Sequence, residues 1–412
     1  MAIDVGTGQN RRAGKPWQPL VDGDTIAGMV ISELDTPALI LDRGRLLRNI
    51  QFMSERAQAG GVDLRPHLKT AKSARVAELA TQGHSGGITV STLAEAAYFL
   101  DHGFADLIYA VCVVPAKLDR VRALQKRGAR LTLLTDNTRV ARAIAERARV
   151  LDTSFAVLIE IDSGEHRTGI AWDSPDLLDI ADVLVRDSHV QLAGVLTHGG
   201  HSYAATSIAE VKQIAEEERH AVVAAAERLR KAGFPCATVS AGSTPTAVHA
   251  SSFDGLTEIR PGVYTFFDLD QMALNSCQVQ DIAISVLATV ISHQPEHSRI
   301  VIDAGALALS KDVSANAVLP DTGYGWVCDA HTNQRIGNLH VAVADQEHGY
   351  VEGSDIPYHT LPIGSLVRVL PNHACITAAA HDRYAVIESV ASEDVEPAVV
   401  DWWDRVNGWK VE

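Results

Sequence analysis

Residues 107–135 carry the reading that decides the fold: Leu107-Ile108-Tyr109-Ala110-Val111-Cys112-Val113, then the stretch Pro115–Arg127, then Arg130-Leu131-Thr132-Leu133-Leu134-Thr135. The outer runs are short, apolar and rich in β-branched residues, as strands buried on both faces are. The middle stretch has the Ala-, Arg- and Leu-rich composition and apolar spacing of a helix. The same unit recurs. Further strand-like runs are Leu64–Lys69, Gly87–Ser91, Phe155–Asp162, Leu192–His198, Ala237–Gly242 and Glu258–Gly262. Helical stretches lie between them at Thr92–His102, Val140–Ala148, Ser174–Arg186 and Ile208–Ala232. Strand–helix alternation with buried strands implies a parallel sheet. Eight runs between Ala38 and Phe267 predict a closed (β/α)8 barrel. A doubly wound open sheet is the alternative, weakened because no G-x-G-x-x-G follows the first strand.

After Asp268 strand-like runs follow one another with little helix: Ile282–Ser292, Arg299–Asp303, His340–Asp345, Leu366–Leu370 and Tyr384–Ser389. This predicts an antiparallel β domain. The expected division is a barrel over residues 36–268 and a β domain over 269–412, onto which part of residues 1–35 packs.

Composition agrees with that plan and excludes several classes. The chain has 412 residues, 46% of them hydrophobic and 21% charged, as in an ordinary globular protein. Its length suits two or three domains, or one barrel with an appendage. A net charge of −15 argues against a nucleic-acid partner, though not against a locally basic pocket. No run of roughly 18 apolar residues is available to cross a membrane. Met1–Gln18 has no long apolar core, so no secretory signal is expected. The five cysteines, Cys112, Cys236, Cys277, Cys328 and Cys375, are few, odd in number and widely spaced. They point to a reducing, cytoplasmic setting rather than a disulfide framework.

In a parallel barrel the working residues sit at the C-terminal strand ends. Here those ends read Arg65-Pro66-His67-Leu68-Lys69-Thr70, Asp162 to Gly169, Thr197-His198-Gly199-Gly200-His201, Ala241 to Thr246, and Arg260-Pro261-Gly262-Val263-Tyr264. Lys69 alone would read as a solvated strand-end lysine. Ser243, Thr244 and Thr246 with the Gly262/Val263 turn would alone read as turn punctuation. Together, a lysine able to form a Schiff base and a hydroxyl-rich phosphate cradle on one rim suggest pyridoxal 5'-phosphate. Arg167 lies between Gly164 and Gly169, which permit close backbone approach. His67 is expected to pack, and His198 to stack on a ring. His201 is left open between a metal ligand and a hydrogen-bonded residue.

In Pro371-Asn372-His373-Ala374-Cys375, positions i and i+2 of a strand would face one way, so His373 and Cys375 can share a metal. Two ligands are too few for a closed structural zinc site, and a buried Cys beside a hydrogen-bonded His is the plainer reading of those five residues. A thiolate favours zinc over magnesium or calcium. Glu347-His348-Gly349 reads as a turn, and the other four cysteines as core residues.

These motifs, in this order, resemble the D-serine dehydratase and D-threonine aldolase family of fold-type III pyridoxal phosphate enzymes, related to alanine racemase in the barrel. The resemblance spans about Asp35 to about Ser389. It implies a PLP- and metal-dependent lyase acting on D-3-hydroxyamino acids. Lys69 would carry the cofactor and act as the catalytic base. Arg167 would contact the ring's phenolic oxygen and His198 the ring. Gly242, Ser243, Thr244, Gly262, Val263 and Tyr264 would hold the phosphate or its surroundings. His373 and Cys375 would bind a divalent metal beside the substrate hydroxyl, zinc in a dehydratase, manganese or magnesium in an aldolase. A homodimer is implied too. Aldolases of the family usually carry His-x-Asp at the metal and dehydratases often His-x-Cys, so Cys375 resembles the dehydratase side. The expected reaction is conversion of D-serine to pyruvate and ammonia. The alternatives are retro-aldol cleavage to glycine and an aldehyde, or dehydration of another D-3-hydroxyamino acid such as 3-hydroxyaspartate. Thr197 stands where a tyrosine often precedes the histidine, which leaves the substrate open.

Overall fold

A computed structural model describes residues 28–388, 390 and 395–410. Strand β1 is Ala38–Asp42, and eight parallel strands follow in a second sheet. They are β2 (Asp63–Leu64), β3 (Ile88–Val90), β4 (Asp106–Cys112), β5 (Arg130–Thr135), β6 (Phe155–Asp162), β8 (Val190–Thr197), β9 (Thr238–Ala241) and β10 (Glu258–Ile259), with the two-residue β7 (Ile170–Ala171) beside β6. Their spatial order is β2-β10-β9-β8-β6-β5-β4-β3. A parallel bridge between His67 and Thr89 joins the ends and closes the barrel. The surrounding helices turn one apolar stripe inward. Over Thr138–Val150 the Asn137 side chain accepts from Arg139 N and Val140 N, and Ala141, Ile144, Ala145 and Ala148 are buried.

The first barrel strand is shorter than the run Leu64–Lys69. Pro66 has no N–H to continue a ladder, and Lys72 N donates to Leu68 O at 2.7 Å, curling residues 68–72 into a turn. Lys69 therefore rides a turn, and the two-residue periodicity expected of His67 and Lys69 does not apply.

The other sheet, to which β1 belongs, is built from β11 (Ile284–Gln294), β12 (Arg299–Ile302), β13 (Gly325–Asp329), β14 (Arg335–Ala344), β15 (Gly349–Glu352), β16 (Leu366–Pro371), β17 (Arg383–Ile387) and β18 (Val399–Asp404). β11 pairs with both β12 and β16, so β11-β12-β15-β14-β13-β16 returns on itself as an antiparallel barrel. β1, β17 and β18 extend it, β1 and β17 running parallel. This corrects the expected placement of residues 38–42 with the (β/α)8 barrel. β1 pairs antiparallel with β11 and is buried on both faces: Leu39 and Leu41 join the main core, and Ile40 packs with Ile31, Leu287 and Ala385. Residues 28–35 thus lie on the β domain, while residues 1–27 are outside the described residues. β13 is short and led by a glycine that the register demands: a Cβ on Gly325 would stand 2.4 Å from Leu370 O. The cores of the two units are continuous, with Phe266 and Tyr384 edge to face at 5.5 Å.

Candidate active site

The C-terminal ends of the barrel strands face the helix Ala374–Ala379 that follows β16. Between them lies a cavity of about 440 Å³ lined by Lys69, Arg167, His198, Ser243, Gly262, Val263, His373 and Cys375. It adjoins a second space of about 480 Å³ inside the barrel, which shares Lys69, Arg167 and His198 and adds Gly242. Thr244 and Tyr264 lie behind this wall, Tyr264 N donating to Thr244 Oγ1 at 3.2 Å.

The strand-end loops are held by buried acids. Glu218 accepts from Gly199 N and Gly242 N, tying the ends of β8 and β9 together, and burial pushes its carboxyl up. Ser243 accepts from Thr246 N at 3.2 Å while Thr246 Oγ1 accepts from Ser243 N at 2.9 Å, so the turn is closed on itself. Ser202 adds a hydroxyl 2.9 Å from Ser243 Oγ. Asp162 orders the Arg167 loop by accepting from Gly164 N, His166 N and His166 Nδ1. Glycine is required at 169, where a Cβ would meet Asp162 N at 2.6 Å. Gly262 is required likewise, lying against His67 O.

Four cations, Lys69, Lys72, Arg167 and Arg260, line the cavity; Lys72 pairs with Glu95 and Arg167 with Glu165. Lys69 Nζ has no ion pair or hydrogen bond among the described residues. Arg260 is buried and, among the described residues, donates to Ser240 Oγ and Thr197 O, each at 2.6 Å; burial pulls it down to about 10. Burial, then Lys69 and its neighbouring arginines, hold His67 and His198 well below the usual imidazole range, hence neutral. An unpaired amine, two arginines, neutral imidazoles and a hydroxyl-lined turn suit an aldehyde cofactor that carries a phosphate dianion. The residues therefore fit pyridoxal phosphate.

His373 and Cys375 converge by a different local structure from the one expected. β16 ends at Pro371, and His373 is the residue capping the next helix, with Cys375 in its first turn. The strand periodicity does not hold there; His373 keeps an extended backbone at the cap and Cys375 is helical. His373 Nδ1 donates to Asp312 Oδ2 at 2.7 Å, and Cys375 Sγ lies 3.1 Å from Thr70 Oγ1. Burial opposes charge on His373, yet Asp312 and Cys375 raise it to about 11. Burial would raise the Cys375 thiol, yet His373, Lys69 and Thr70 lower it overall. Asp312 is held down to about 2 by His373. An imidazole oriented by a carboxylate, next to a sulfur already inclined to ionise, fits a thiophilic divalent metal. Asp312→Asn is expected to weaken metal retention roughly 10- to 100-fold, as loss of an orienting carboxylate does. Competition against a chromophoric chelator would show it; unchanged retention would deny Asp312 this role.

Several residues facing the cavity were not singled out in the sequence. Tyr203, Thr70, Lys72, Asp268 and Asp270 all line it. Burial and Asp268 push Asp270 up to about 7. Cys112, expected in the core, lines the inner space instead, at the C-terminal end of β4. Its sulfur donates to Glu160 Oε2 at 3.0 Å and lies near Asp136, so three ligand-type groups come within 4.8 Å of one another. Burial and Glu160 push the Cys112 thiol up strongly, which keeps it protonated and a poor metal ligand. Cys236, Cys277 and Cys328 are buried, as expected.

Comparison with known proteins agrees with this architecture. Residues 41–270 match the family model "Alanine racemase, N-terminal domain", and residues 283–387 match "Putative serine dehydratase domain". The chain is 42% identical to D-threo-3-hydroxyaspartate dehydratase of Delftia sp. (strain HT23), over 91% of this chain and 98% of that one. It is 32% identical to D-serine dehydratase of Dictyostelium discoideum, over 87% and 95%. It is 27% identical to D-threonine aldolase of Arthrobacter sp., over 92% and 94%. The solved structure of the Delftia enzyme superposes with a TM-score of 0.87, covering 92% of this chain and all of that one, and a mutant of it has been solved in a metal-free form. With the barrel and the β domain both matched, the chain belongs to the D-serine dehydratase and D-threonine aldolase family of fold-type III enzymes and is a PLP-dependent lyase.

Proposed function

We propose that this lyase removes water from D-3-hydroxyamino acids, D-threo-3-hydroxyaspartate ahead of D-serine, with zinc as its metal. The observation that carries the reading is the juxtaposition of Lys69 with the His373–Cys375 pair in one cavity. Identity of 42% to a 3-hydroxyaspartate dehydratase against 32% to a D-serine dehydratase supports the order of substrates.

Pyridoxal phosphate, when bound, supplies an electron sink for charge developing at Cα, and the metal supplies a Lewis acid for the β-hydroxyl. Lys69 holds the cofactor and, released by substrate, takes the Cα proton on Nζ. Arg167 binds the ring's phenolic oxygen and His198 packs on the ring. Gly242, Ser243, Thr244, Gly262, Val263 and Tyr264 form the phosphate cradle and its backing. His373 and Cys375 would hold a divalent metal, whose Lewis acidity would help the β-hydroxyl, a poor leaving group, to depart. The β-hydroxyl leaves with its bonding pair, and the released enamine hydrolyses to a keto acid and ammonia. The barrel (residues 36–268, without β1) and the β domain divide the labour: one holds the cofactor, the other the metal. Exposed Val111, Ile376 and Trp409 at the cavity edge support a homodimer. Among the described residues no helix is long and apolar enough to cross a membrane.

Incubation of the holoenzyme with D-threo-3-hydroxyaspartate, D-serine and D-threonine, with zinc or after chelation, tests the reading. Oxaloacetate and ammonia from the first are expected, with less pyruvate from the second. Glycine and an aldehyde without ammonia would instead establish aldol cleavage.

A further inference from the structure

Beyond β18 the chain reaches Arg405, outside both segments matched by the family models. Its guanidinium is buried and makes no ion pair with a carboxylate among the described residues. Each guanidinium nitrogen donates to neutral acceptors, and the main-chain acceptors fall into two groups. On one side are Ala71 O at 3.2 Å and Thr70 O at 3.3 Å, in the turn that carries Lys69. On the other are Ala378 O, on the helix that carries Cys375, and His381 O at 2.8 Å just past its end. Tyr384 Oη bridges the arrangement, accepting from Arg405 Nε at 2.8 Å and donating to Ala71 O at 2.7 Å; Asn407 Oδ1 accepts at 3.1 Å. The main chain continues the link, with Val406 N donating to Lys72 O at 2.8 Å. Where the two groups meet, Thr70 Oγ1 lies 3.1 Å from Cys375 Sγ.

We infer that Arg405 is a positioning residue that sets the spacing between the Lys69 turn and the His373–Cys375 helix. The inference rests on the proposed roles of Lys69 and the metal pair. A planar fork with five N–H donors can hold carbonyls from two elements in fixed relative positions, whereas an ammonium is a point donor. Proton removal at Cα and departure of the β-hydroxyl occur on adjacent carbons, so both groups must be placed together. A displacement of about 1 Å between such groups costs on the order of 100-fold in rate.

The test uses the full-length holoenzyme carrying Arg405→Lys, with Ile31→Ala as a control destabilised in the small cluster under β1 and remote from the clamp. Melting temperature, the visible absorbance and circular dichroism of bound cofactor, metal retention against a chromophoric chelator, and kcat and KM are measured well below either melting point. For Arg405→Lys, kcat is expected to fall roughly 100-fold with KM little changed. Metal retention is expected to weaken at least about 10-fold, and the cofactor's dichroism to change. Ile31→Ala should lose melting temperature alone. Wild-type kcat, metal retention and dichroism in Arg405→Lys would overturn the inference, as would equal losses in the control. If Arg405→Lys does not fold, Tyr384→Phe removes the bridging hydroxyl while sparing the fork; it should show the same changes at smaller size, and their absence would overturn the inference. A wild-type enzyme inactive on all D-3-hydroxyamino acids would refute the proposed function, while metal retention and dichroism would still decide the role of Arg405.

Discussion

Lys69→Ala is expected to abolish the visible absorbance of the lysine-linked cofactor and its borohydride trapping, and to lower turnover by about 10⁴-fold or more. Two losses combine. In the proposed mechanism the amine that faces the cavity with no partner among the described residues is the covalent anchor, and the same amine is the base for the Cα proton. The phosphate cradle is untouched by the substitution, because Ser243 and Thr246 bind each other and Glu218 holds Gly199 and Gly242. The variant should therefore fold and still bind the cofactor noncovalently, with an added primary amine restoring part of the rate. Persistence of borohydride trapping would transfer the role to another lysine. Lys72, whose Nζ lies 3.4 Å from Glu95 in the same cavity, is the nearest candidate.

The second large effect belongs to the metal pair. Cys375→Ala should release the metal and lower elimination by roughly 10²- to 10⁴-fold, the scale of losing stabilisation at a developing negative charge. The cofactor's absorbance should survive, because Cys375 sits on the β domain side of the cavity and touches Thr70 rather than the cradle. Cys375→Asp, which recreates the His-x-Asp pattern of the family's aldolases, should retain a harder metal such as manganese in preference to zinc. Full activity in a chelated preparation of the wild type would contradict the metal's part altogether.

How much of this was legible beforehand depended on whether a residue's partners are local. β5 and β6 have the bounds expected, since each is paired on both sides and its apolar run ends at a turn. The first barrel strand was overestimated because Pro66 and the curl at Lys72 end it early, although the motif still delivers Lys69 to the rim. Residues 38–42 fall within the span expected of the barrel but not among its eight runs, and they join the β domain instead, because a buried run carries no mark of which strands it will join. The His-x-Cys spacing identified a pair that does meet, but through a helix cap rather than a strand. Asp312 reaches His373 across 61 positions, and Arg405 reaches Thr70 across 335, so neither left any periodic trace. Tyr203 escaped notice because it sits in a short 3-10 turn, Gly200–Ala204, after β8.

The central claim is a division of labour: Lys69 moves the Cα proton, and the His373–Cys375 metal enables the hydroxyl to leave. Incubation of the metal-depleted, cofactor-loaded enzyme with D-threo-3-hydroxyaspartate in deuterated water tests it directly, following the Cα–H signal and ammonia together. The account predicts that deuterium enters Cα while ammonia release stops, and that zinc restores release. Ammonia release at the full rate without metal, or loss of exchange together with loss of elimination, would contradict it.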